Sequence, residues 1–390
     1  MTRPPTGWHF LQLPGPSNVP ARVLEAMSRA TTDHRGPDFP ALTGAILDGM
    51  RPVFGTSGPT VVFPASGTGG WEAALVNTLN PGDRVLFVET GQFAANWSDV
   101  ARRFGLLVEV IESDWRRGAD PVQIEGRLAE DGAHSIAALA IVHNETSTGA
   151  MSRIGEVRRA MDRAGHPALL LVDAVSSLGS VEYRHDDWRV DVTVSASQKG
   201  LMLPPGLSFL AMSDRAIDAS TRAALPRSYW DWNAMLAQNA KGFFPYTPAT
   251  NLLYGLRESL AMLHEEGLDA VYRRHARHGR AARAAVSAWG LETQCCVSEE
   301  MSDVLTAVVM PDDHDADAVR ALVLDRFNMA LGTGLGRLKG RIFRIGHLGD
   351  MNDLMLIAAL AGVESGLALS GVPISRAGVA AAMLSLEQTT

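Results

Sequence analysis

Ala-Leu-Leu-Leu-Val-Asp-Ala-Val-Ser-Ser, residues 168–177, followed by Val-Ser-Ala-Ser-Gln-Lys-Gly, residues 194–200, is the stretch that decides the fold. The first segment reads as a short apolar strand that ends on an acid, Asp173, and the second brings a lysine, Lys199, onto a Ser-rich turn. Similar apolar runs stand upstream at Val61–Phe63, Arg84–Glu89, Leu106–Ile111 and Ile136–Val142, and helical segments such as Trp71 to Leu79 separate them. Strands that are apolar throughout, spaced by helices of roughly 10–15 residues, predict an α/β fold whose mostly parallel sheet is covered on both faces. The polar residues gather just after the carboxyl ends of these strands, where open α/β sheets hold ligands.

Outward from this centre the pattern changes twice. Leu-Pro-Gly-Pro-Ser-Asn-Val-Pro (13–20) has too many prolines for a helix interior, and reads as an extended arm leading into a helix from about Ala21 to Ala30. After Pro245-Tyr246-Thr247-Pro248 comes a long helical stretch, Asn251 to Trp289, broken at Gly267. A strand at Asp303–Val309, a helix at Ala316–Phe327, a Gly-rich segment and a strand at Ile342–Ile345 complete a smaller α+β unit. The expected organisation is an N-terminal arm (1–20), a large domain (21–250) and a small C-terminal domain (251–390).

The composition, 46% hydrophobic and 20% charged over 390 residues, is that of a folded globular chain long enough for two domains. A net charge of −8 gives no electrostatic reason to bind nucleic acid or an anionic membrane surface. Arg273, Arg274, Arg277, Arg280 and Arg283 recur at helical spacing and read as a solvated helix face. The two cysteines, Cys295 and Cys296, are neighbours that offer neither a disulfide framework nor a zinc spacing, so no metal is expected. No stretch of about 20 apolar residues occurs, the opening Met-Thr-Arg-Pro-Pro-Thr-Gly-Trp has no signal-peptide core, and the final Glu-Gln-Thr-Thr is no peroxisomal address. The cytoplasm is the expected compartment.

A strand-end acid followed about 25 residues later by a lysine flanked by small and apolar residues is the pairing that pyridoxal 5′-phosphate requires. The lysine amine condenses with the aldehyde, and burial lowers its pKa toward the neutral form that attacks. The acid keeps a proton on the ring nitrogen. Ser66-Gly67-Thr68-Gly69-Gly70 lies between a strand and a helix, where hydroxyls and backbone N–H groups can converge on a phosphate. Alone such a turn is only a turn; with Asp173 and Lys199 it becomes a phosphate seat. Arg344 lies in an apolar strand and needs a partner, either a substrate carboxylate gripped by two parallel hydrogen bonds or an internal salt bridge.

These residues, with Pro-Gly-Pro-Ser-Asn-Val-Pro, Asp33-His34-Arg35, Gly-Thr-Gly-Gly-Trp-Glu, His-Asn-Glu-Thr-Ser-Thr-Gly, Pro-Tyr-Thr-Pro and Phe-Arg-Ile-Gly-His-Leu-Gly, occur in an order that resembles the class V (fold-type I) pyridoxal-phosphate aminotransferases. The likeness is to the glyoxylate-aminating branch that includes serine–glyoxylate aminotransferase, and it runs nearly end to end. It implies a seven-stranded type of central sheet. It also implies that Ser66, Gly67, Thr68 and Gln198 hold the phosphate, that Phe93 stacks on one ring face and Val175 packs on the other, and that Thr146 approaches the ring hydroxyl. Tyr246 and Thr247 resemble residues that reach the phosphate of a neighbouring subunit, which implies a homodimer with shared active sites. Arg344 matches the arginine that holds the substrate carboxylate.

The resemblance implies transfer of an amino group from a small amino acid to glyoxylate, giving glycine and a 2-oxo acid. Serine, with hydroxypyruvate as product, is the first expectation. Asp33-His34-Arg35 and Leu225-Pro226-Arg227-Ser228-Tyr229 also resemble an aspartate–glyoxylate aminotransferase, whose donor has a second carboxylate and needs a further cation; His34, Arg35 and Arg227 are candidates. Alanine is a third donor. A lyase or cysteine desulfurase shares this fold, but both cysteines here lie together in the small domain. A non-catalytic cofactor-binding module would have no use for the complete lysine, aspartate and arginine set.

Overall fold

A computed structural model describes residues 7–388; the first six residues and the last two, on which part of the arm and of the targeting readings fall, lie outside the described residues. Seven strands form the central sheet in the order Thr60–Ala65, Gly206–Met212, Val192–Ala196, Leu169–Asp173, Ile136–Val142, Arg84–Glu89, Leu107–Glu112. Only Gly206–Met212 runs against the rest, so the sheet is mostly parallel.

Alternation of side chains along each strand divides the interior into two cores. Leu86, Val88, Leu139, Ile141, Leu170 and Val172 face one side, where they meet Leu42, Ile46 and Met50 of the helix Phe39–Phe54. Val85, Phe87, Ala138, Ala140, Leu171 and Val194 face the other, against Ala74, Leu75 and Trp97 of the helices Gly67–Thr78 and Gln92–Arg103. Burial on both faces is why these strands are mostly apolar, with Thr193, Ser195 and Ser208 as buried exceptions. It also ends each one abruptly where polar side chains begin.

A second sheet has the order Phe10–Gln12, Met329–Thr333, Ile342–Gly346, Leu305–Val309, Glu292–Thr293. The described part of the N-terminal arm therefore does more than lead into a helix: Phe10, Leu11 and Gln12 pair in parallel with Met329, Ala330 and Leu331. The helix Thr250–Glu266 begins where the small domain was expected to begin. Its buried residues Leu253, Leu256, Leu260 and Leu263 nevertheless join the core of the large sheet. The chain crosses to the second sheet along the next helix, Leu268–Trp289, whose Ala281, Ala285 and Trp289 pack with Val308, Phe343 and Ile345. Among the described residues no helix is long and apolar enough to cross a membrane.

Candidate active site

Asp173 ends its strand in register with Val142 on one side and Val194 on the other, so it stands at the carboxyl edge of the sheet's centre. Its side chain is buried and holds two donors: the Val175 N–H gives 2.7 Å to Oδ1, and the Trp71 indole N–H gives 2.9 Å to Oδ2. Burial pushes its pKa up to about 7, against the pull of those two hydrogen bonds.

Lys199 follows the neighbouring strand and is also buried. Burial first, and the charge of Arg344 second, push its pKa down to about 8, so a useful share of the amine is neutral near physiological pH. Its Nζ donates to the Pro14 carbonyl at 2.6 Å. Ser17 ties the same turn to the arm, with its hydroxyl on the Lys199 carbonyl at 2.9 Å and its N–H on the Gln198 carbonyl at 3.0 Å. Gly15 has φ +116°, and a Cβ there would fall on the lysine side chain. Only glycine lets the arm cross this close.

A cavity of about 130 Å³ lies between these groups, lined by nine of the residues expected at the cofactor: Ser66, Gly67, Thr68, Phe93, Thr146, Asp173, Val175, Gln198 and Lys199. Trp71, Val142 and Asn144 complete its wall. Ser66 is the N-cap of the helix Gly67–Thr78, and its hydroxyl makes no capping bond, so the helix's positive end is open to an anion. Gln198 Oε1 and Asn144 Oδ1 are buried polar atoms with no hydrogen-bond partner among the described residues. Thr146 donates its hydroxyl to Ser176 at 2.8 Å, as does the Asn144 amide.

Arg344 reaches this region from the second sheet. Its strand neighbours are Ala307 and Gly332, and its guanidinium donates to the Thr333 carbonyl at 2.8 Å and to the Thr146 carbonyl at 2.6 Å. It bonds to backbone carbonyls, not to a carboxylate, so the internal salt bridge does not form. Burial pushes its pKa down to about 10, and the guanidinium stays charged at neutral pH.

The remaining expected residues are not brought to this cavity. His34 and the exposed Arg35 lie in the loop before Phe39–Phe54, and Tyr246 stacks on Tyr229 with centroids 4.4 Å apart; neither these nor Thr247 lines the cavity of its own chain. Arg227 is corrected outright. Its guanidinium donates to the carbonyls of Val76, Ala223 and Ser220, which leaves it spent on fixing a loop to a helix end.

Sequence reading missed Trp71, Pro14 and Glu145. Glu145 is fully buried, and its carboxylate accepts from the N–H groups of Phe93, Ala94 and Ser147 and from the Ser147 hydroxyl. It thereby caps the helix that carries Phe93. Burial raises its pKa and those four donors oppose the rise. Its place in His-Asn-Glu-Thr was visible, but nothing local said which helix it would cap.

An amine close to neutrality, a buried acid and an open helix N-terminus thus surround one cavity, and a charged arginine that does not line it bonds to the carbonyl of Thr146 in its wall. Such a set can hold a phosphorylated heterocycle, keep a proton on its ring and shuttle another at the lysine. The family described as aminotransferase class-V matches residues 9–337. A serine–glyoxylate aminotransferase from Methylorubrum extorquens is 49% identical, covering 99% of this chain and 98% of its own length. An L-aspartate–glyoxylate aminotransferase from Paracoccus denitrificans is 44% identical, covering 97% and 96%. Among solved structures, ureidoglycine–glyoxylate aminotransferase from Bacillus subtilis superimposes with a TM-score of 0.91 at 28% identity, covering 98% of this chain and 99% of that one.

Proposed function

The chain belongs to the class-V aminotransferase family, and from that premise we propose that it moves an amino group from a small L-amino acid, serine first, to glyoxylate, giving glycine and a 2-oxo acid. Its cofactor is pyridoxal 5′-phosphate, and the donor set fits that group. The open end of the helix Gly67–Thr78 suits a phosphate, the unpartnered Asn144 Oδ1 can accept from a donor, and Asp173 suits a protonated ring nitrogen. When bound, the cofactor supplies an aldehyde that links to amines and a ring that accepts the electron pair left by a departing Cα proton.

The chain's own residues do the rest. Ser66, Gly67, Thr68 and Gln198 bind the phosphate, Phe93 and Val175 hold the ring between them, and Thr146 faces its hydroxyl. Asp173 holds the ring proton in place. Lys199, as the neutral amine, would take the proton from the donor's Cα and return it two atoms further along, on the far side of the nitrogen; the Pro14 carbonyl receives the amine when it is unattached. Arg344 orients both substrates by the carboxylate they share.

The single observation that carries this reading is the buried pair of Lys199 and Asp173 lining one cavity. Serine is favoured over aspartate because Lys199 is the lone cation among the lining residues and Arg227 is committed elsewhere, which leaves one cationic clamp, Arg344, for one carboxylate. Aspartate would require His34 or Arg35 from a second copy. Tyr246 and Thr247 stand outside their own chain's cavity, which fits a homodimer that shares them. Both thiols, Cys295 and Cys296, are free, which supports a reducing, cytoplasmic setting. The chain divides into a large cofactor-binding unit and a smaller, mainly C-terminal one that begins along the helix Leu268–Trp289.

Initial rates with glyoxylate and serine, aspartate or alanine test the assignment, with Lys199→Ala alongside. Serine is expected to be fastest and Lys199→Ala to lose turnover together with visible absorbance from bound cofactor. Faster turnover of aspartate reverses the donor, and unchanged turnover in Lys199→Ala removes the mechanism.

A further inference from the structure

We propose that Trp71 is a positioning residue for the transfer reaction, its indole N–H holding the Asp173 carboxylate in the orientation in which it accepts a hydrogen bond from the protonated ring nitrogen. This rests on the cofactor assignment above and adds a residue to it. Trp71 sits in the first turns of the helix Gly67–Thr78, whose N-terminus is the phosphate seat, and it lines the same cavity as Asp173. One rigid helix therefore addresses both ends of the cofactor.

The indole is firmly held. It is 4% exposed and stacks on Trp97 with centroids 5.8 Å apart and planes 16° apart, and Trp97 in turn meets Phe87 edge-on at 5.8 Å. Among the described residues it provides the only side-chain hydrogen bond to Asp173; the other donor is the Val175 backbone. An indole N–H can only donate, so it cannot turn to accept a proton from a neutral acid as a hydroxyl could. Without it Oδ2 would be a buried, undonated oxygen, and protonation would relieve it.

The other groups around Asp173 do not replace this contact. Lys199 favours the anion, Glu145 disfavours it, and Tyr183 lies close enough to feel its charge. The flanking strands Ile136–Val142 and Val192–Ala196 carry no ionisable side chain, although His143 follows the first, with its ring on Ser177. Glu72, the acid on Trp71's own helix, accepts from Trp230 at 3.0 Å.

The test is Trp71→Phe, with Trp97→Phe as a packing control. Cofactor-free protein is titrated with pyridoxal 5′-phosphate from pH 5 to 9, and the pH profile of kcat is measured in parallel. Trp71→Phe is expected to weaken cofactor binding about tenfold or more, as for loss of one hydrogen bond to a charged group. The acid limb of both affinity and kcat should move upward by about one pH unit, as one such bond is worth, with KM for glyoxylate unchanged; Trp97→Phe should leave that limb alone. A fall in melting temperature and kcat with an unmoved limb would make Trp71 a core filler and overturn the proposal. Should Trp71→Phe not fold, the indole ¹⁵N–¹H resonances of the wild type decide: one of the eight tryptophans must follow the Asp173 titration, and if none does the proposal fails. Wild type that binds no cofactor or turns over no donor defeats the functional assignment instead, a result none of these variant outcomes imitates.

Discussion

Arg344 stands opposite Gly332, where any Cβ would come within 3.0 Å of its own Cβ and 3.2 Å of its Nε, so the neighbouring strand keeps a glycine to let the guanidinium pass. Two of its donors are fixed on the Thr333 and Thr146 carbonyls, which aims the group and leaves it without a carboxylate of its own. Arg344→Ala is therefore expected to raise KM for donor and glyoxylate alike by about ten- to a hundredfold, the range for hydrogen bonds to a charged group, with a smaller change in kcat. Arg344→Lys keeps the charge without the fork and should recover only part of the loss. Steady-state kinetics with each substrate varied in turn checks both, and an unaffected glyoxylate KM would reduce Arg344 to a strut between sheets. Lys199, Asp173 and Arg344 were legible in the sequence because each breaks an apolar run with a charge that must be compensated. Pro14 was not, since it acts through its carbonyl, and Trp71 was not, since a tryptophan opening an apolar helix reads as core until its indole N–H is seen on Asp173. Arg227 misled for the converse reason: the sequence shows a cation but not the three carbonyls that consume it.

The helix Gly67–Thr78 is the element on which phosphate, ring acid and sheet meet, and it lies very close to the strands beneath it. A Cβ on Gly70 would overlap the Ser208 hydroxyl and meet Val194 Cγ1 at 2.5 Å. Gly70→Ala would gain intrinsic helix propensity, worth up to about 1 kcal/mol, but overpacking typically costs about 1–3 kcal/mol, and that larger effect wins. Lifting the helix would also carry Ser66 and Thr68 off the phosphate, so cofactor affinity and melting temperature should fall together. Cofactor titration and thermal unfolding of the variant check this; unchanged affinity would mean that the helix can move without its N-terminus. At this scale five of the large sheet's seven strands were readable as apolar runs; Val192–Ala196 and Gly206–Met212, interrupted by Thr193, Ser195 and Ser208, were not. Three strands of the second sheet were not readable either, Glu292–Thr293 among them at only two residues. Met329–Thr333 contains Gly332 and read as part of a Gly-rich segment, and Phe10–Gln12 is three residues long with a partner more than 300 positions away. No local pattern reports such pairing.

Across the whole molecule several buried imidazoles are held neutral, His143 and His185 in the large domain, His347 beside the second sheet and His275 on the helix between them. His275 Nε2 accepts the Gly349 N–H at 3.0 Å while its Nδ1 meets the Val271 carbonyl, which links the long helix Leu268–Trp289 to the chain just past the Arg344 strand. Burial lowers the pKa of His143 and His185 to about 4, of His275 to about 3, and of His347 well below the ordinary value. Each folded-state pKa lies below its unfolded value of about 6.5, so the unfolded chain takes up protons first as pH falls. The stability these groups contribute is complete above about pH 6.5 and is lost progressively toward about pH 4. Asp173 acts in the opposite sense: raised to about 7, it favours the folded cofactor-free protein as pH falls through that value. Glu145, Asp191 and Asp303 are raised by burial in the same sense, but five lowered imidazoles, His278 included, and the carboxylates that hydrogen bonds hold low, Asp131, Asp186, Asp317 and Asp353, all lose stability on acidification, so the sign does not reverse. The melting temperature of the cofactor-free protein should accordingly change little between pH 7 and 8 and decline steadily from pH 6.5 to 4.5. His275 stays largely neutral in the folded protein over that interval, so its Gly349 contact should hold until the fold itself gives way, and in the holoenzyme KM for glyoxylate should rise through this contact only together with loss of helical circular dichroism. Thermal scans and kinetics over the same buffers test the two statements together, and a melting temperature that holds or climbs on acidification would show that these histidines are charged in the folded protein.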